Sequence, residues 1–161
     1  MTALLIVWHS LTGGSEAMAR AAVEAASSEA DAVMKRAAGA GPGDLLAADG
    51  YIFVCPENLA SMAGVMKDFF DRCYYPVLGR IEGRPYATMI CAGSDGEGAT
   101  RQIARIATGW RLKAVAEPLI VCTHAQTSEA ILAPKIIDEA DLARCRELGA
   151  TLAAGLEMGI F

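Results

Sequence analysis

An open α/β sheet of five parallel strands, wound in both directions in the order 2-1-3-4-5, is the fold that this sequence predicts. Three observations predict it. Five short apolar runs recur along the chain, at 3–8, 30–37, 51–55, 86–92 and 114–123. Segments with helical character lie between them, which implies parallel crossovers and a sheet covered on both faces. Polar, glycine-containing loops follow the first and fourth runs, where strands hand over to helices.

The first run, Ala3 to Trp8, leads into HSLTGGS (9–15) and then an Ala-rich, helix-prone stretch from Glu16 to about Ser28, whose small side chains allow close approach to a sheet. Ala30 to Ala37 alternates loosely and is less apolar, which places it nearer an edge. GAGPGD (39–44) is turn chemistry, with Asp44 as the expected cap of a short helical piece, LLAAD (45–49). YIFVC (51–55) is continuously apolar, as a strand buried on both faces should be, and Pro56 is expected to stop it. Met62, Val65, Met66, Phe69, Phe70 and Cys73 then follow a helical period, and Pro76 is expected to end that helix. Tyr86 to Ala92 runs into GSDGEGA (93–99), and a helix from about Ala99 to Trp110 carries Ile103, Ile106 and Trp110 on one face. Pro118, inside the fifth strand (114–123), donates no ladder hydrogen bond and so suits a sheet edge. Leu142, Cys145, Leu148, Leu152 and Leu156 line a closing helix. Trp8, Tyr51, Trp110, Met62 and Met66 are assigned to the core.

The 161 residues make one domain, 1–161. At 53% hydrophobic and 20% charged the chain is too apolar for disorder, yet no apolar run reaches the ~18 residues a membrane span needs. Fourteen basic against 19 acidic residues give a net charge of −5, which argues against nucleic acid as a partner. MTALLIVW has no basic leader and no small-residue cleavage site. Five cysteines without a CxxC pair fit free, buried thiols in a reducing compartment, so a cytoplasmic location is expected. His9, His124, Cys55, Cys91 and Cys122 fall near strand ends but share no short ligand spacing, so no metal is expected. His9 adjoins the first loop and is a candidate for a minor contact there.

In a doubly wound sheet the ligand sits beyond the carboxyl ends of the strands, where the winding reverses. The loops there are 9–15, 56–61 and 92–98. In the first, backbone N–H groups and the hydroxyls of Ser10, Thr12 and Ser15 lie at the positive end of a helix, which suits a phosphate without Lys or Arg. By itself the loop reads equally as an ordinary glycine-rich turn with a serine cap. It is neither a Walker A loop nor GxGxxG.

Ser10-Leu11-Thr12-Gly13-Gly14-Ser15 resembles the loop after the first strand in flavodoxin-type FMN proteins. DLLAADGYIFVCPENLASMAGVMKDFFDR (44–72) resembles the NAD(P)H-dependent FMN reductase and quinone reductase families through Asp49, Gly50, Pro56, Ser61, Gly64, Met66, Lys67, Phe69, Asp71 and Arg72. The resemblance implies a flavodoxin-like fold and an FMN site. Ser10, Leu11, Thr12, Gly13, Gly14 and Ser15 would take the phosphate. Pro56, Glu57, Asn58, Leu59 and Ser61, with Gly93, Ser94 and Gly98, would line the ring. Gly14 stands where many relatives have Asn, and Asn58 where the reductases usually have an aromatic. Lys67, Asp71 and Arg72 lie on a helix past the site and are expected to be structural or at a subunit contact.

The expected activity is that of an FMN-dependent oxidoreductase taking electrons from NAD(P)H and passing them to a quinone or similar small-molecule acceptor. The alternative is an electron carrier of the flavodoxin type. Such carriers usually sandwich the ring between aromatics, and neither ENLAS (57–61) nor GSDGEG (93–98) contains one. The site residues of a receiver domain, a low-molecular-weight phosphatase and a G-x-S-x-G esterase are all missing from these loops. The helix at 62–73 with Tyr74–Leu78 carries more apolar surface than one sheet face needs, so a homodimer or homotetramer is expected.

Overall fold

A computed structural model describes residues 2–161. Five strand positions form the sheet in the expected order. β1 (Ala3–Trp8) lies between β2 (Asp31–Arg36) and β3 (Gly50–Asn58), and β5 (Pro85–Ala92) follows β3, all in parallel. The last position is shared by two short pieces, β6 (Lys113–Ala114) and β7 (Leu119–Cys122), both parallel to β5. Tyr86 pairs with Ala114 and Met89 with Leu119, so the outer strand spends two more residues than β5 over this stretch. The expected single strand at 114–123 is therefore broken at Glu117-Pro118, where Pro118 has no N–H for the ladder.

Alternation along the strands divides the core in two. Leu5, Val7, Tyr51, Phe53, Tyr86 and Ile90 face α2 (Pro42–Ala47), α3 (Gly64–Val77) and α4 (Glu97–Gly109). Leu4, Ile6, Trp8, Ile52, Val54 and Met89 face α1 (Gly14–Ala26) and α6 (Glu139–Met158). Each such fully buried side chain contributes about 1.5–3 kcal/mol. On the first face Phe53 packs within 5.1 Å of Phe70 and Trp110 within 5.6 Å of Phe70, ring centre to ring centre, so α3 and α4 are locked to the sheet through aromatic edges. Trp8, Tyr51, Trp110, Met62 and Met66 are all buried.

Several boundaries differ from expectation. β3 does not stop at Pro56; it continues to Asn58 and turns back antiparallel into β4 (Ser61–Met62). Pro56 is tolerated because it sits at the sheet's end and uses its carbonyl, which accepts from Ala63 N–H at 3.1 Å. With Ser61 and Met62 taken into the hairpin, α3 begins at Gly64, and it runs through Pro76 to Val77 because a proline in the last turn still carries the helical φ. Asp44 is not the cap of α2 but its third helical residue, where its carboxylate accepts from Gly41 N–H at 2.9 Å. A short helix, α5 (Ser128–Leu132), lies between β7 and α6. Among the described residues no helix is long and apolar enough to cross a membrane.

Candidate functional site

The carboxyl ends of β1, β3 and β5 bring the three loops to one edge of the sheet. In the first loop, Gly13 N–H donates to Ser10 Oγ at 3.0 Å, and Gly13 turns left-handed (φ 98°) to start α1. This leaves the N–H groups of Leu11, Thr12, Gly14, Ser15 and Glu16 without an acceptor among the described residues. Ser15 Oγ is buried and also has no hydrogen-bond partner, alone among the buried side-chain polar atoms of the described residues. A buried hydroxyl without a partner costs about 1–3 kcal/mol, so this one is available to a group from outside the chain. The helix dipole and the free N–H groups favour an anion in that place.

Gly14, the departure from Asn, has a packing cause. A Cβ there would lie 2.7 Å from Cys91 Sγ on β5 and 3.4 Å from Lys135 Cβ. The loop is thus pressed between the sheet and the segment after α5. Lys135 N–H donates to Thr12 O at 2.8 Å, and Lys135 Nζ donates to the carbonyls of Ala130, Ile131 and Ala133 at 2.6–2.8 Å. Nothing in AILAPKII (130–137), so far along the chain, announces this contact. His9, at the end of β1, is half-buried; burial and then the Arg36 guanidinium lower its pKa below the ordinary 6.5. Arg36 itself lies 4.5 Å over the Trp8 ring.

The second and third loops meet each other. Glu57 accepts from the N–H groups of Gly96 (2.9 Å) and Ala99 (3.0 Å), so its carboxylate caps α4 instead of facing a ligand. A Cβ on Gly98 would overlap the Ala60 carbonyl oxygen, so only glycine lets the hairpin approach α4 this closely. Ser61 Oγ and Met62 N–H both donate to Gln102 Oε1, at 3.0 and 2.9 Å, a clamp residue the sequence did not mark. Glu57, Ser61 and Gly98 therefore shape the site from within the protein. Asn58 is exposed, and at the hairpin tip Leu59 (φ 52°) and Ala60 (φ 62°) both stand in the left-handed region, with Leu59 100% exposed. Gly93 is half-buried, with a Cβ there falling 3.2 Å from Ala125 O, and Ser94 is exposed beside it. Lys67 pairs with Asp71 on the exposed face of α3, and Arg72 bonds the carbonyls of Ala37 and Ala40, which ties α3 to the turn after β2. No three His, Cys, Asp or Glu among the described residues are grouped to hold a metal.

The model of the NADPH-dependent FMN reductase family matches residues 43–126, just over half of the chain. The chain belongs to the NADPH-dependent FMN reductase family. The FMN reductase match spans the hairpin, α3 and the third loop, and membership implies an FMN-binding oxidoreductase. No curated protein matches in sequence. Among solved structures, a flavodoxin from the domain Archaea is 19% identical with a TM-score of 0.79, over 97% of this chain and 99% of that one. A WrbA-like flavodoxin from Agrobacterium tumefaciens is 18% identical with a TM-score of 0.78, over 98% and 99%. Rubredoxin oxygen:oxidoreductase from Desulfovibrio gigas is 16% identical with a TM-score of 0.78, and the match covers 99% of this chain but 37% of that one. At such identities these likenesses establish the flavodoxin-like fold. The unpartnered Ser15 hydroxyl and the free N–H groups of the first loop fit the phosphate of FMN.

Proposed function

We propose that the protein oxidises NADPH or NADH and reduces a small acceptor such as a quinone, with FMN held at the carboxyl edge of the sheet. The observation that carries this reading is the buried, unpartnered Ser15 hydroxyl at a helix start ringed by free N–H groups. Ser10, Thr12, Gly13, Gly14 and Ser15 would hold the phosphate. Backbone groups of the 56–61 hairpin and the 93–98 loop would line the ring, since Glu57 and Ser61 already spend their side chains on α4. The chemistry a bound FMN supplies is two-electron transfer from a reduced nicotinamide to an acceptor. The chain's part is to position, to exclude water and to set hydrogen bonds.

Among the described residues, five of the ten exposed large apolar side chains stand at this edge: Leu11, Leu59 and Ile136 on loops, and Ile131 and Leu132 on α5. Together with the absence of aromatics from 57–61 and 93–98, they favour an open face that a second planar, largely apolar substrate can reach. The same reading places the protein in the cytoplasm as a homodimer or homotetramer, with Tyr75 and Leu78, exposed at the end of α3, in the contact. Light scattering checks the assembly.

The deciding experiment is to load the protein with FMN and mix it anaerobically with NADPH or NADH. Rapid bleaching of the visible flavin absorbance, and its return on adding a quinone, support the proposal. Tight FMN binding with no reaction toward either nicotinamide moves the protein to the carrier class.

A further inference from the structure

The phosphate loop contains no cation, yet one is tied to it. Lys135 donates its backbone N–H to Thr12 O at 2.8 Å, and its Cβ lies against Gly14. Its ammonium is half-enclosed by three carbonyl oxygens, those of Ala130, Ile131 and Ala133, and no carboxylate among the described residues comes within ion-pair distance of it. The three carbonyls take all three of the ammonium's hydrogens and solvate it, but they carry no net charge, so the cation has no counter-ion among the described residues of a chain of net charge −5. Against the Lys135 backbone and Cβ, at Thr12 and Gly14, lies the opposite imbalance. The first turn of α1 offers free N–H groups and the buried, unpartnered Ser15 hydroxyl, donors that lack an anion.

We propose that Lys135 is the counter-ion of a phosphate monoester held by residues 10–15, and that the strap from Thr127 to Asp138 exists to carry that charge to the loop. The proposal rests on the FMN reading and deepens it. Lys135 acts as a positioning and charge-balancing residue, through the field at the loop and through its hold on Thr12. Its role is confined to the phosphate and does not extend to the ring. The charge is also felt in the sheet, where burial raises Cys91 to about 11 while Lys135 pulls the other way.

The test compares FMN with riboflavin, which lacks the phosphate, on wild type, Lys135→Gln and Lys135→Arg, by quenching of flavin fluorescence at low and high salt. Lys135→Gln is expected to weaken FMN about tenfold at low salt, through the lost charge, and to leave riboflavin unchanged, with the difference shrinking as salt screens the charge. Lys135→Arg keeps the charge and is expected to bind FMN close to wild type. Equal weakening of both ligands by Lys135→Gln makes the lysine a structural clip for the strap and overturns the proposal. Unchanged FMN affinity overturns it too. A wild type that binds FMN no better than riboflavin removes the phosphate site itself, and the cofactor reading falls with it.

Discussion

Replacing Ser15 by alanine should move stability and cofactor affinity in opposite directions. Ser15 is 2% exposed, and its Oγ has no partner in the protein. A buried, unsatisfied hydroxyl costs about 1–3 kcal/mol, and alanine in the first turn of α1 has the higher helix propensity besides. Ser15→Ala should therefore stabilise the protein without cofactor by about 1 kcal/mol or more, which raises the melting temperature by roughly 2–4 °C per kcal/mol at this chain length. The same change removes a hydrogen bond to a charged phosphate, worth about 1.5–3 kcal/mol. At 1.4 kcal/mol per decade, FMN affinity should fall about ten- to a hundredfold, while riboflavin affinity holds. Thermal melts without ligand and titrations with both flavins measure all three quantities. A variant that melts lower than wild type without ligand, or that loses FMN and riboflavin alike, would refute the reasoning, because the hydroxyl would then be a structural cap.

Leu59 and Ala60 both adopt positive φ in a two-residue hairpin turn, a conformation that costs a non-glycine residue about 1–2 kcal/mol and that Asn-Gly adopts readily. Leu59→Asn with Ala60→Gly should stabilise the protein by about 1–2 kcal/mol, read as a rise in urea midpoint at constant slope. Gly98→Ala should do the reverse, by about 3 kcal/mol, because its methyl group meets the Ala60 carbonyl and forces the hairpin off α4; FMN and riboflavin should weaken together, unlike in Ser15→Ala. Burial raises Cys55 to about 12 and Cys73, Cys91 and Cys145 to about 11, leaving neutral, enclosed thiols. An alkylating reagent should thus modify Cys122 alone in the native protein and all five cysteines after denaturation, as counted by mass spectrometry. Burial and Arg36 hold His9 below 6.5, so the unfolded chain binds its proton first; stability is complete above 6.5 and is lost as pH falls through the depressed value. His9→Asn should flatten that loss in melts recorded across the acid limb.

The strands, the helices and the two-sided core were legible because each follows from a local pattern, and the strand order because that alternation fits a known doubly wound sheet. YIFVC is buried on both faces wherever it is placed, and the Met62–Cys73 spacing makes one apolar helical stripe whatever it packs against. Boundaries were less legible. Pro56 and Pro76 read as stops because each lacks an N–H: the first lies at the sheet's end, and the second costs α3 one hydrogen bond in a last turn that its helical φ still allows. The site residues were named from a loop resemblance, and their side chains then divided. Ser15 keeps a free hydroxyl, whereas Glu57 and Ser61 spend theirs on α4.

The sequence by itself determined which residues are apolar at which period, and so the helices, the strands and the doubly wound sheet whose carboxyl edge must carry the site. Tertiary structure alone decided that Ser15 has no partner, that Gly14 must be bare because Cys91 lies beneath it, and that Lys135 closes on Thr12. Periodicity is a property of neighbours in the chain and can be read along it. A hydrogen bond left unmade, a methyl group with no room or a charge with no counter-ion depends on segments that meet only after the chain has folded.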